Sequence, residues 1–280
     1  GLNRAEGSSV ARVANQGSGP DQGNWGPPAL SYRNPGFAFF GCHMMRRRLL
    51  TLLPVLFGLI VGCATAKSED VALTDLVPSP RQQKTAVVVN KVLERFHYRK
   101  VSLDDEFAEK IFDSYLEALD PNRSFFLEED IDQFARKTSR LDDDLKRGRL
   151  GTAFEIFRLY RQRVDERVAY ALSLVEQGFD FASVEDYQFD RSDADWPKSN
   201  SELDDIWRKR VKNDWLGLRL TDKDDNDIRE TLRKRYEGLA RRIRQFDADE
   251  VFQAFLNAYT QSLEPHTSYM SPSTPQNFDT

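Results

Sequence analysis

The chain has 280 residues, is 40% apolar and 30% charged, and carries a formal net charge of −5. That composition suits a globular fold with a solvated surface. Residues 1–66 are net +4, which leaves −9 for 67–280, a balance that repels phosphate backbones and disfavours nucleic acid as a partner. The two cysteines, Cys42 and Cys63, both precede residue 64, so the rest of the chain has no disulfide framework. Three histidines, at 43, 97 and 266, form no metal-ligand spacing, and neither a metal nor a cofactor is expected.

In chain order, residues 1–43 are rich in Gly, Ser, Asn and Pro and lack apolar periodicity. They read as disordered, or as translated sequence upstream of the real start, and take no part in the fold. Arg46-Arg-Arg48 followed by the apolar run Leu49–Val61 has the layout of a signal peptide over 44–66. The run is too short to span a bilayer comfortably. Ile60-Val-Gly-Cys63 resembles a bacterial lipobox, with Ile where Leu is usual, which makes Cys63 a candidate for lipidation. Ala64-Thr-Ala66 offers an ordinary cleavage site instead. Residues 67–80 form a short polar linker.

From Gln82 onward the pattern is helical. The first helix, about 82–98, places Val88, Val92, Leu93 and Phe96 on one side. A second spans about 103–119, with Ser102 as N-cap and Asp105 completing a weak capping box. A third runs from Leu127 to about Lys146. The longest, Thr152–Gln177, carries one apolar stripe from Phe154 to Val175 and stops at Gly178. Residues 179–197 lack periodicity and read as an irregular connection pinned by aromatic side chains. Helices at about 201–218, 224–246 and 249–263 follow, with Thr221 and Asp247 as N-cap candidates. Alternating β-branched runs are absent, so the predicted fold is an all-α, multi-helix domain over 81–280.

Two stretches match at a constant offset of 144. Ser114-Tyr-Leu-Glu-Ala-Leu-Asp-Pro-Asn-Arg-Ser-Phe-Phe126 aligns without gaps on Ala258-Tyr-Thr-Gln-Ser-Leu-Glu-Pro-His-Thr-Ser-Tyr-Met270. In each a helix ends on an acidic residue, because the residue before proline is pushed out of the helical region. A turn then delivers an aromatic side chain.

Other motifs have structural explanations. Trp207, Val211 and Trp215 recur every four residues, so they share a buried face, and the Arg and Lys between them snorkel along its rim. Asp222–Asn226 resembles the start of a calcium loop but has Asp227 where Gly is required and Arg233 where Glu is required. It reads instead as acid at a helix N-terminus. Leu141-Asp-Asp-Asp-Leu145 reads as a solvated helix face. His266 reads as a cap or hydrogen-bond partner for its turn, and His97 as a helix-end charge interacting with the dipole. Neither a nucleophile motif nor a phosphate-binding loop occurs, so no catalytic residue is assigned.

The segment Leu263-Glu-Pro-His-Thr-Ser-Tyr-Met-Ser-Pro272 is similar to the Leu-Asp-Pro-His-Thr-x-Tyr-Leu segment of the tail-specific proteases, also called C-terminal processing peptidases. Trp207–Trp215 and Phe189-Asp-Arg…Trp196-Pro-Lys198 resemble the same family's long N-terminal domain. The resemblance covers roughly 74–280. It implies a periplasmic serine endopeptidase whose PDZ domain and Ser-Lys dyad lie C-terminal to the point where this chain stops. None of those residues can be carried onto this sequence. The part present resembles the helical domain that shapes substrate access and offers docking surface to an adaptor lipoprotein. The family's substrates are envelope proteins, including peptidoglycan hydrolases and septal penicillin-binding proteins. The alternative reading is a stand-alone envelope helical lipoprotein acting as scaffold or adaptor without catalysis. The final Gln276–Thr280, without a cap or polar tail, suggests a chain cut short.

Overall fold

The computed structural model describes residues 69–100 and 102–271. The leader expected over 44–66, its Cys63, and the upstream extension lie outside the described residues. Among those described, the fold is all-α: a short 3-10 turn, Leu73–Asp75, and eight helices. These are α1 (Pro80–Phe96), α2 (Asp105–Leu119), α3 (Glu128–Thr138), α4 (Leu141–Arg147), α5 (Gly151–Gln177), α6 (Asn200–Arg219), α7 (Asp225–Arg244) and α8 (Ala248–Leu263).

The 27-residue α5 is the central post. At 1.5 Å per residue it is about 40 Å long. Its stripe, Phe154, Phe157, Tyr160, Val164, Val168, Ala171 and Val175, is buried as the spacing predicts, while Leu172, expected on the same stripe, is half-buried against the core. It packs against α6, α7 and α8, while α2 lies on α8. Trp207, Val211 and Trp215 are all buried on α6, as their four-residue spacing requires. The basic residues between them take partners at the rim. Arg208 and Lys212 both bind Glu185, at 2.6 and 2.7 Å, and Arg210 lies over the Trp207 ring. These two cations, Arg208 foremost, hold the Glu185 carboxyl down at about 2.

Residues 178–199 carry no helix, as expected, and Phe179, Phe181 and Trp196 fasten them to the core. Residues ahead of α1 also lie on the domain. Leu76 is fully buried, its carbonyl accepts from Arg158 at 2.8 Å, and the Val71 amide donates to the Arg244 carbonyl at 2.9 Å.

Five local expectations are corrected. The third helix is two, α3 and α4, with a break at Ser139 and Arg140. The break places Asp142, Asp143 and Asp144 in a first turn, where the helix dipole favours them, rather than mid-helix. Those aspartates are not simply a solvated face, since Asp142 is buried and bonded to Lys146 at 2.7 Å. The cap of α2 is Asp104, whose side chain accepts from the Phe107 amide, and not Ser102. The cap of α7 is Asp224, which accepts from Asn226 and Asp227, and not Thr221. Asp247 does cap α8, in a capping box with Glu250.

The fifth correction concerns the inward face of α1. Val88, Val92 and Phe96 point to solvent, Leu93 alone of the expected four packs against the core, and the buried residues are Gln82, Ala86 and Asn90. Each buried amide finds a partner on α8, which removes the penalty for burying it. Gln82 donates to Asp249 at 2.6 Å, and Asn90 accepts from the Tyr259 hydroxyl at 2.7 Å.

Candidate functional site

The two matching stretches form two proline turns with one backbone design. At the end of α2 the Asp120 amide donates to the Leu116 carbonyl at 2.8 Å, and the Arg123 amide to the Asp120 carbonyl at 3.1 Å. At the end of α8 the Glu264 amide donates to Thr260 at 3.2 Å, and Thr267 to Glu264 at 2.9 Å. Both pairs of bonds are related by the same offset of 144. The helices themselves pack together. Tyr115 meets Phe255 edge-on with ring centroids 5.3 Å apart, and Ser262 donates to Ser114 at 2.9 Å.

Their carboxylates have different tasks. Asp120 is 1% exposed. One of its oxygens accepts from the Ser124 amide at 2.9 Å, and the other from Phe125 and Phe126 at 2.8 and 3.1 Å. Burial pushes this carboxyl above its usual range, while the three amides and the charge of Arg210 pull it back. Arg123 takes a left-handed φ of 46°, closing the turn, and its guanidinium lies over Trp196. The released chain drives Phe125 against Tyr160 and Trp207, and the Ser124 carbonyl accepts the Trp207 indole N–H at 2.6 Å. The first turn is thus a structural element of the core.

The second turn sits at the surface. Glu264 accepts from the His266 amide at 2.9 Å, and its other oxygen pairs with the His266 ring at 2.7 Å. This is the hydrogen-bonding role expected of His266. The Glu264 contact raises the His266 pKa, and the same contact is the main cause lowering that of Glu264. His97 does more than sit at a helix end, since its Nε2 meets the Thr267 hydroxyl at 3.1 Å. Arg99 donates to the Leu263 carbonyl at 3.1 Å. The end of α1 therefore clasps the turn.

Beyond it the chain runs back along α8. The Tyr269 amide donates to Asn257 at 2.8 Å and the Ser271 amide to Gln253 at 3.2 Å. Asn257 and Gln253 are one helical turn apart, so two alternate amides of an extended segment meet two side chains on one face. Tyr269 packs edge-on against Phe252, centroids 5.5 Å apart. The direction in which the polypeptide leaves α8 is therefore fixed. Sequence reasoning missed Gln253, Asn257, Arg99 and the reach of His97. The signal available was a pair of carboxamides at i and i+4 within the apolar run of α8.

Chemically the arrangement holds a chain in place: the His97 ring meets the Thr267 hydroxyl at 3.1 Å, and that hydroxyl donates to Glu264 at 3.3 Å. Among the described residues no cluster of His, Cys, Asp and Glu could hold a metal. Linkage gives the sign of the pH response. A raised His266 pKa adds stability that is fully present below its ordinary 6.5 and lost as pH rises through the folded value. A lowered Glu264 pKa adds stability present above 4.5 and lost as pH falls through its folded value. In an NMR titration His266 is expected to titrate above 6.5, and in Glu264→Gln to return toward it. An unchanged midpoint in the variant would remove the contact from the account.

Residues 89–273 match the tail-specific protease N-terminal domain. The tail-specific protease of Haemophilus influenzae is 38% identical over 216 residues, a stretch that spans 77% of this chain and 31% of that relative. The chain thus covers under a third of the length of the relative it matches. With an all-α domain in place across the matched span, the chain belongs to the tail-specific protease family through that family's N-terminal domain.

Proposed function

We propose that this domain is the non-catalytic front part of a serine endopeptidase of the bacterial envelope, one that takes proteins from their C-termini. The observation that carries the reading is the match of residues 89–273 to that family's N-terminal domain. After α8 the Tyr269 and Ser271 amides are held by Asn257 and Gln253, which gives this segment a defined orientation relative to the helices.

In this reading the following PDZ domain captures an apolar substrate C-terminus by strand addition. A Ser-Lys dyad then cuts, with an uncharged Lys as base. The helical domain, residues 81–280, shapes substrate access and offers docking surface to an adaptor lipoprotein. Substrates are envelope proteins, with peptidoglycan hydrolases and septal penicillin-binding proteins as the classes the family suggests. Residues 44–66 direct export to the periplasm, and 67–80 connect that leader to the domain, with Leu76 seated in the core. A second reading, a stand-alone helical lipoprotein acting as scaffold, is supported by one fact: among the described residues, Leu76 to Leu263 supply one continuous buried hydrophobic core.

The 280-residue chain is expected to leave a peptide with an apolar C-terminus intact, while the chain extended through PDZ and protease domains cleaves it. Hydrolysis by the short chain, or inertness of the long one, would overturn the endopeptidase reading. Mass spectrometry of the exported protein tests the anchor. A diacylglyceryl group on Cys63 is the expected result, and an unmodified N-terminus at Lys67 excludes it.

A further inference from the structure

Helix α1 shows solvent the apolar residues that its periodicity would bury. Val88 is 58% exposed, Val92 48% and Phe96 73%. At 3.6 residues per turn these three share one stripe, and Lys84, Lys91 and Arg95, all exposed, fall on the same half of the helix. The helix's one acidic residue, Glu94, lies off that stripe and accepts from Asn90 at 3.1 Å. Lys84, Lys91 and Arg95 have no ion-pair partner among the described residues, whereas the cations of α6 are largely held in salt bridges. Arg95 lies over the Phe96 ring, 5.5 Å from its centroid, so cation and aromatic sit together, and a basic and apolar face without ion pairs stands out on a chain of net negative charge.

We infer that this face of α1 docks on the surface of an anionic phospholipid bilayer. A helix with basic and apolar residues on one face lies in the plane of the interface, its apolar residues at the boundary between headgroups and acyl chains. Phe96 and the two valines take that depth, and the three cations meet lipid phosphates. Tyr98, 74% exposed just past the helix, adds an aromatic ring of the kind that settles at headgroup level. The acidic body of the domain is repelled by the same surface, which leaves the α1 face as the side of approach. A second copy is the poorer occupant, because a two-fold contact through this face sets Lys against Lys. Crossing is not involved, since no described helix is long and apolar enough to span a membrane. The inference rests on this face alone and is independent of any peptidase activity.

The test uses the chain from Lys67 onward, which omits the apolar run Leu49–Val61 and keeps every core residue among those described. In vesicle flotation it is expected to bind phosphatidylglycerol-rich vesicles about tenfold or more better than phosphatidylcholine vesicles, given about 1 kcal/mol per surface cation. High salt should weaken that binding. The double variant Val92→Asp/Phe96→Asp should lose it and Lys84→Glu/Lys91→Glu should reduce it, both with unchanged circular dichroism. Val184→Asp, at a position 99% exposed elsewhere, should bind as wild type. Equal binding to both vesicle types, no binding, or binding that survives the α1 substitutions would overturn the inference. So would self-association in sedimentation that the α1 substitutions abolish, which would make the occupant a second copy.

Discussion

One buried carboxylate makes the rest of the architecture possible. Where α2 ends the chain must turn inside the core, and three consecutive amides, at 124, 125 and 126, have neither helix nor strand to receive them. Buried amides without acceptors are costly, so such a path needs a dedicated acceptor. Asp120 is that acceptor, with two oxygens shared among three donors. Because the amides are satisfied, Phe125 and Phe126 can be fully enclosed, and the Ser124 carbonyl is free to take the Trp207 indole. The same turn reaches the irregular connection after α5. Asn122 accepts the Arg191 amide at 3.3 Å, and the Glu128 amide donates to the Pro197 carbonyl at 2.9 Å. A short acidic side chain thus links α2, the long connection and α6.

The second proline turn shows what the same backbone does at a surface. Glu264 is one methylene longer, folds back on its own turn and leaves the following amides to Asn257 and Gln253. The difference between aspartate and glutamate separates a turn locked in a core from a turn that releases the chain along a helix. The same backbone design thus serves once for packing inside the core and once for fixing the path of the chain after α8.

Much of this was legible in the sequence. The stripes of α5 and α6 have regular spacing and bury large side chains, so periodicity alone located them. The twin turns were visible because a proline after an acidic residue constrains backbone and side chain together. Periodicity failed where burial is decided by particular hydrogen bonds. On α1, Gln82 and Asn90 go inward because Asp249 and Tyr259 await them, and no local pattern encodes partners some 170 residues away. The caps at Asp104 and Asp224 were displaced from Ser102 and Thr221 for a related reason. Several residues near each helix start could cap it, and the choice follows where packing begins the helix. The break between α3 and α4 lacks both Gly and Pro, so it left no punctuation to read.

The most direct test of this account is Asp120→Ala, followed by denaturant unfolding with tryptophan fluorescence as the probe. Loss of the acceptor leaves three buried amides unpaired, and the account predicts destabilisation of about 3 kcal/mol together with an altered Trp207 environment. A loss below about 0.5 kcal/mol, the range of ordinary surface substitutions, with an unchanged emission spectrum would contradict it.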